Sequence, residues 1–193
     1  MILIGLTGQM GVGKSTAIKL LEKILVRNAQ VVKFAQPLYD MQEYIYGRIE
    51  STYKRPVSFI KDRTLLQWLG TDWGRRTIHQ DIWIDLWKNT VKAYPASLVI
   101  CDDVRFDNEA NAVLKEGGIL LKITSDKNTA RIDTTTGIAK HASEAGVTPT
   151  LITELVENNG TLEEFERALR LAIFSSMDLL LDLTPTSRYV ENK

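Results

Sequence analysis

The stretch LTGQMGVGKST, Leu6–Thr16, decides the fold of this 193-residue chain. It follows the continuous apolar run Ile2–Leu6, the pattern of a strand buried on both faces of a parallel sheet. It leads into Lys14–Arg27, where Ala17, Ile18, Leu21, Ile24 and Leu25 recur at helical spacing. Between strand and helix, the eight residues from Gly8 to Ser15 fit G-x-x-x-x-G-K-[ST]. Glycines let the backbone curl until several N–H groups aim at one anion, and the positive end of the following helix adds to that field. Gly8, Gly11, Val12, Gly13, Lys14, Ser15 and Thr16 are therefore read as a cradle for a nucleoside triphosphate. Lys14 reaches the β- and γ-phosphates, and the Ser15 hydroxyl holds Mg²⁺. The motif fixes a triphosphate site and leaves the reaction open.

Outward from that loop, strand and helix patterns alternate. Val31–Phe34, Leu98–Cys101 and Ile119–Ile123 read as further buried strands, and Leu155–Val156 as the centre of a short fifth. Helices are expected over Leu38–Ile49, Asp62–His79, Ile82–Ala93 and Asn108–Glu116, the last stopped by Gly117–Gly118. A final helix opens after Thr161 and Glu164, spaced as a capping box, with Leu162, Phe165, Leu169 and Ile173 on its inner face. The expectation is one α/β domain over residues 1–193, with about five parallel strands covered by helices on both sides. Residues 35–95 are more than one crossover needs and read as a helical acceptor-binding lobe. Residues 124–150, polar and rich in Thr and Ser, read as a lid or flap. The polar tail after Asp182 reads as disordered.

Twenty-four basic and 24 acidic residues cancel, which argues against a protein built to coat a nucleic-acid polymer. Cys101, the single cysteine, sits in the apolar run SLVIC and reads as a buried thiol suited to a reducing compartment. No apolar run has the length of a membrane span, and MILIGLTGQ lacks the basic region of a signal peptide, so a cytoplasmic protein is expected.

Asp102 and Asp103 directly follow a buried strand, at the end where parallel sheets bind ligands. Either can hold Mg²⁺ beside the phosphate loop, the competing reading being a polar turn. Arg105 is placed to neutralise a phosphate or, alternatively, to form a surface ion pair. On the helix expected over Asp62–His79, a step of about 100° per residue gathers Gln67, Thr71, Gly74 and Arg75 on one side, and Leu66, Leu69 and Trp73 on a core side. The first set offers an amide for a base edge and a guanidinium for a monophosphate; an ordinary solvated face is the rival reading. The tryptophans, Trp68, Trp73, Trp83 and Trp87, read as core. Arg131 is the candidate for closing over the γ-phosphate, against a reading in which the charges of residues 124–150 simply face solvent. His79 and His141 show no metal-binding spacing.

Taken together, GQMGVGKST, FAQPLYD, LLQWLGTDWGRR, VICDDVRFDNEA, HASE and VENNGTLEEF resemble the deoxynucleoside monophosphate kinases of bacteriophages, in order and approximate spacing, from Met1 to about Ala172. The resemblance implies a P-loop kinase fold, three-layer α/β/α, with an acceptor lobe and a lid. It implies ATP and Mg²⁺, a deoxynucleoside monophosphate as acceptor, and often a homodimer. By position it gives Gly8, Gly11, Gly13, Lys14, Ser15 and Thr16 to the donor loop, and Gln67, Trp68, Gly70, Thr71 and Arg75 to the acceptor side. Asp102 or Asp103, with Arg105, falls near the transferred phosphoryl, Arg131 in the lid, and His141–Glu144 after it. The chain departs from many phage members at Ser15, where they carry Asp. Two rival functions are a P-loop kinase of another small acceptor and a nucleotide-dependent switch; the D-x-x-G and N-K-x-D strings associated with GTP switches are absent.

Overall fold

The computed structural model describes residues 1–54, 62–94, 97–126 and 146–183, with side chains described as far as Ser176. In chain order the elements are β1 (Ile2–Thr7), α1 (Lys14–Leu25), β2 (Gln30–Val31), α2 (Gln36–Tyr53), α3 (Arg63–Gln67), a π-helical segment (Trp68–Ile78), α4 (Ile82–Ala93), β3 (Leu98–Cys101), α5 (Asp107–Lys115), β4 (Ile119–Thr124), a 3₁₀ turn (Pro149–Leu151), β5 (Glu154–Glu157) and α6 (Leu162–Leu183).

The strands form one parallel sheet in the order β2-β3-β1-β4-β5. β1 is central: Ile4 pairs with Ile100 on one side and Ile119 on the other. Its run of buried residues follows from having neighbours on both edges and helices on both faces. Alternation then sorts the side chains. Ile4, Leu6, Leu98, Ile100, Leu121 and Ile123 face α1 and α6, meeting Ala17, Leu21, Phe165, Leu169 and Ile173. Leu3, Val99, Cys101 and Leu120 face the other way, with Phe34, Trp87, Ala110 and Val113. This is the expected three-layer α/β/α architecture. The strand order reverses at β1, so the carboxyl end of β1 is the switch point beyond which ligands bind in open sheets. A smaller apolar cluster of Leu38, Leu66, Leu69 and Trp83 holds the helices between β2 and β3 together.

Several elements depart from expectation. β2 pairs only over Gln30–Val31, because the chain turns at Phe34 and Ala35, whose N–H groups go to the Asp103 carboxylate at 3.0 and 2.9 Å rather than to a strand. The helix expected over Asp62–His79 is α-helical only to Gln67 and then π-helical for 11 residues. Leu162 is exposed, so the inner face of α6 begins at Phe165; the Thr161–Glu164 capping box is present, with bonds of 2.7 and 3.2 Å. Of the stretch expected as a lid, residues 127–145 lie outside the described residues, and so do Arg131 and His141–Glu144. Its far end is packed: Val147 is buried, and Thr148 donates through N and Oγ1 to Asp107 at 2.8 and 2.6 Å. The polar tail from residue 184 also lies outside them. Among the described residues no helix is long and apolar enough to cross a membrane.

Candidate active site

The phosphate loop leaves the carboxyl end of β1 with Gly8, Gly11 and Gly13 at φ of 137°, 83° and 107°, a region side chains rarely adopt. At Gly8 a Cβ would also run into the Ile123 carbonyl. α1 then begins at Gly13 without a side-chain cap, so the first N–H groups of the helix are left for a ligand. The loop is braced from behind by a residue that the sequence did not single out. Asn158, just past β5, donates from Nδ2 to the Val12 carbonyl at 2.9 Å. Its own backbone is tied to β4 through Thr124 O (2.8 Å) and the Ser125 hydroxyl (2.9 Å).

Lys14 lies over the loop, its Nζ donating to the carbonyls of Gly8 (2.7 Å) and Gln9 (2.8 Å). Burial lowers its pKa, and the neighbouring Arg105 guanidinium lowers it further, while Asp102 and Asp103 pull the other way. The largest of these causes is burial, so the Lys14 ammonium is one that a polyanion at the loop would stabilise.

The two aspartates after β3 have different tasks. Asp103 is committed: its oxygens accept from Phe34 and Ala35, and the Cys101 thiol donates to Oδ1 at 3.3 Å. Burial raises the pKa of Asp103 and pushes that of the buried Cys101 well up. Asp103 is therefore a tie between β3 and the entrance to the lobe. Asp102 instead carries a buried Oδ1 with no hydrogen-bond partner among the described residues, with Lys33 Nζ 3.6 Å away. An orphaned carboxylate oxygen near the phosphate loop, with the exposed Ser15 at the start of α1, suits a hard cation such as Mg²⁺. Among the described residues no cluster of three or more His, Cys, Asp or Glu groups is placed to hold a metal, so a cation here would need other ligands, such as phosphate and water.

In the segment expected to face the acceptor, the π-helical turn rearranges the faces. Gln67 and Trp68 are exposed, Trp68 by 52%, and Thr71 is half-buried. Gly70 and Gly74 are buried against Trp83, whose Nε1 donates to the Gly70 carbonyl at 2.8 Å. Gly74 therefore leaves the polar face on which helical spacing puts it. Arg75 does not project into open space: its Nη2 is 2.5 Å from Glu109 Oε1, and its guanidinium lies 4.1 Å from the centre of the Phe106 ring. Of the four tryptophans, Trp83 and Trp87 are core, Trp73 is half-buried and Trp68 is not buried.

Three further charged residues escaped sequence reasoning. Lys33 flanks Asp102. Arg63 brings Nη2 within 4.0 Å of Met10 Sδ at the tip of the phosphate loop; Asp62, capping α3 through Leu65 N at 3.0 Å and bound by the Tyr46 hydroxyl at 2.8 Å, fixes where that arginine starts. Glu109 was signalled only by its place beside Ala110 and Val113 on the buried face of α5.

The family model described as deoxynucleotide monophosphate kinase matches residues 9–169. The chain is 32% identical over 188 residues to a protein of Acanthamoeba polyphaga mimivirus that bears the provisional name deoxynucleotide monophosphate kinase, covering 86% of this chain and 92% of that one. It is 28% identical over 132 residues to the deoxynucleoside-5′-monophosphate kinase of Escherichia phage T5, covering 64% of this chain and 48% of that one. Among solved structures it is similar to shikimate kinase from Aquifex aeolicus, with a TM-score of 0.51 over 91% of this chain and 98% of that one; at 16% identity the likeness is one of fold.

Proposed function

Because the chain belongs to the deoxynucleotide monophosphate kinase family, we propose that it transfers the γ-phosphoryl group of ATP to the 5′-phosphate of a deoxynucleoside monophosphate. The observation that carries this reading is the glycine-shaped loop on the carboxyl end of the central strand, with the half-buried Lys14 laid over its carbonyls.

In this reading the loop amides and the open start of α1 bind the donor phosphates, and Lys14 leaves the Gly8 and Gln9 carbonyls to meet them. Ser15 and Asp102 hold Mg²⁺, which when bound neutralises charge on the donor phosphates. Arg105, and Arg131 from the stretch after β4, add positive charge around the transferred group. The acceptor phosphate is largely anionic near neutral pH, so the chain needs no strong general base; its contribution is position and charge. Gln67, Trp68 and Thr71 face the acceptor, Gly70 keeps the segment close to Trp83, and Arg75 acts through its pairing with Glu109. The relatives are viral, which fits an enzyme working in the cytoplasm of an infected cell, as a monomer or a homodimer.

The test is ADP release with ATP and Mg²⁺ across the common deoxynucleoside and ribonucleoside monophosphates, with non-nucleotide acceptors as controls. ADP should form only when a deoxynucleoside monophosphate is present. Equal ADP release without any acceptor, or release only with a non-nucleotide acceptor, would overturn the proposal.

A further inference from the structure

Glu109 is 3% exposed, on a helix face otherwise made of Ala110, Ala112 and Val113. A carboxylate in such a place is costly unless its oxygens are occupied. Here both are, by groups from different parts of the molecule. Oε1 accepts from Arg75 of the π-helical segment at 2.5 Å. Oε2 accepts from the backbone N–H groups of Arg105 and Phe106 at 2.8 and 3.2 Å. The Arg75 guanidinium is also stacked on the Phe106 ring, 4.1 Å from its centre, so the lobe and the loop after β3 meet twice at one point.

The backbone that Glu109 holds is that of Arg105, the second cation felt by Lys14 at the phosphate loop. A continuous chain of bonds therefore runs from the π-helical segment, through Arg75 and Glu109, to the backbone of Arg105, to which the proposed function gives charge at the donor phosphates. For fold stability alone a packed apolar side chain would serve as well as this buried charge. It would not fix the direction of the Arg105 loop relative to the lobe.

We propose that Glu109 is a positioning residue for phosphoryl transfer. With one oxygen it holds the lobe through Arg75, and with the other it holds the Arg105 loop, so that acceptor and donor sites are set as one unit. The proposal rests on the kinase reading above. It assigns to Glu109 no contact with either substrate.

The experiment is steady-state kinetics of the full chain with ATP and the deoxynucleoside monophosphate that it turns over fastest. The variants are Glu109→Gln, which keeps the shape and removes the charge, Arg75→Lys, which keeps the charge and removes the guanidinium fork, and the double variant. Each single change is expected to lower kcat by about ten- to a hundredfold, the scale of a small misplacement of reacting groups, with KM for ATP within about twofold of wild type. The double variant should be no more than about twofold worse than the poorer single, because both cut the same tie. The proposal is overturned if either folded single variant keeps kcat within about twofold, if the losses multiply in the double variant, or if KM for ATP rises in step with the loss. Should Glu109→Gln fail to fold, Arg75→Lys alone decides by the same kcat and KM criteria. A wild-type protein that phosphorylates no deoxynucleoside monophosphate refutes the kinase reading itself, a result separate from any effect of the variants.

Discussion

The phosphate loop and the π-helical segment are both short, glycine-bearing stretches, yet they use glycine for opposite ends. In the loop, Gly8, Gly11 and Gly13 supply positive φ, so the backbone itself becomes the binding surface. In the segment, Gly74 lacks a side chain so that Trp83 can press against the helix, Gly70 lies against Leu38 and gives its carbonyl to Trp83, and the exposed side chains include Trp68, Asp72 and Arg76. One region is specified by backbone conformation, which a local motif records. The other is specified by what packs behind it, which no local motif records.

That contrast can be broken at either end. The largest expected effect is at Lys14: Lys14→Ala should lower turnover by about a thousandfold, the cost of removing a charge aimed at the transferred group, with an unfolding midpoint close to wild type. An ADP-release assay beside a thermal melt checks both halves. Next is Gly74→Ala. The added Cβ would lie 2.7 Å from Trp83 Cε2 and 2.9 Å from the Leu69 carbonyl oxygen, so a loss of about 2–3 kcal/mol of stability is expected by urea unfolding. A variant as stable as wild type would mean that the close approach of Trp83 is not what glycine serves there.

A smaller effect is expected at Asn158. Asn158→Ala strands the Val12 carbonyl and should weaken ATP binding by roughly tenfold in calorimetry, or about 1–2 kcal/mol. The mildest is Trp68→Ala. With the side chain 52% exposed, stability should move by less than about 0.5 kcal/mol, whereas KM for the acceptor rises and KM for ATP does not. Loss of stability without a change in acceptor KM would make Trp68 a packing residue instead.

Much of the molecule was legible because its signals are local. β3 and α4 fall where the sequence puts them, since a four-residue apolar run and an amphipathic repeat each state their own limits. The phosphate loop is legible for the same reason. The π-helical segment is not: its faces follow i→i+5 bonding, and a step taken from the α-helix puts Gly74 with the polar residues. β2 is shorter than its apolar run because a carboxylate about seventy positions away, Asp103, takes the N–H groups of Phe34 and Ala35. Separation along the chain also hides Asn158, 146 positions from Val12, and the partner of Glu109, 34 positions away; these contacts are ones that sequence spacing cannot show. Asp102 and Asp103 look equivalent as adjacent letters, and only the turn at Phe34 tells them apart.

The bond from Asn158 to Val12 has a consequence for the order in which a newly made chain becomes functional. The donor loop is complete as sequence within the first sixteen residues, but its brace is supplied 146 residues later, and its parent strand waits for β3 and β4 on either side. A ribosome-bound chain that has not yet exposed β5 therefore carries the nucleotide motif without the bond that braces it. The earliest-synthesised part of the site is braced from its far end, and nucleotide binding rewards most a chain that has reached Asn158.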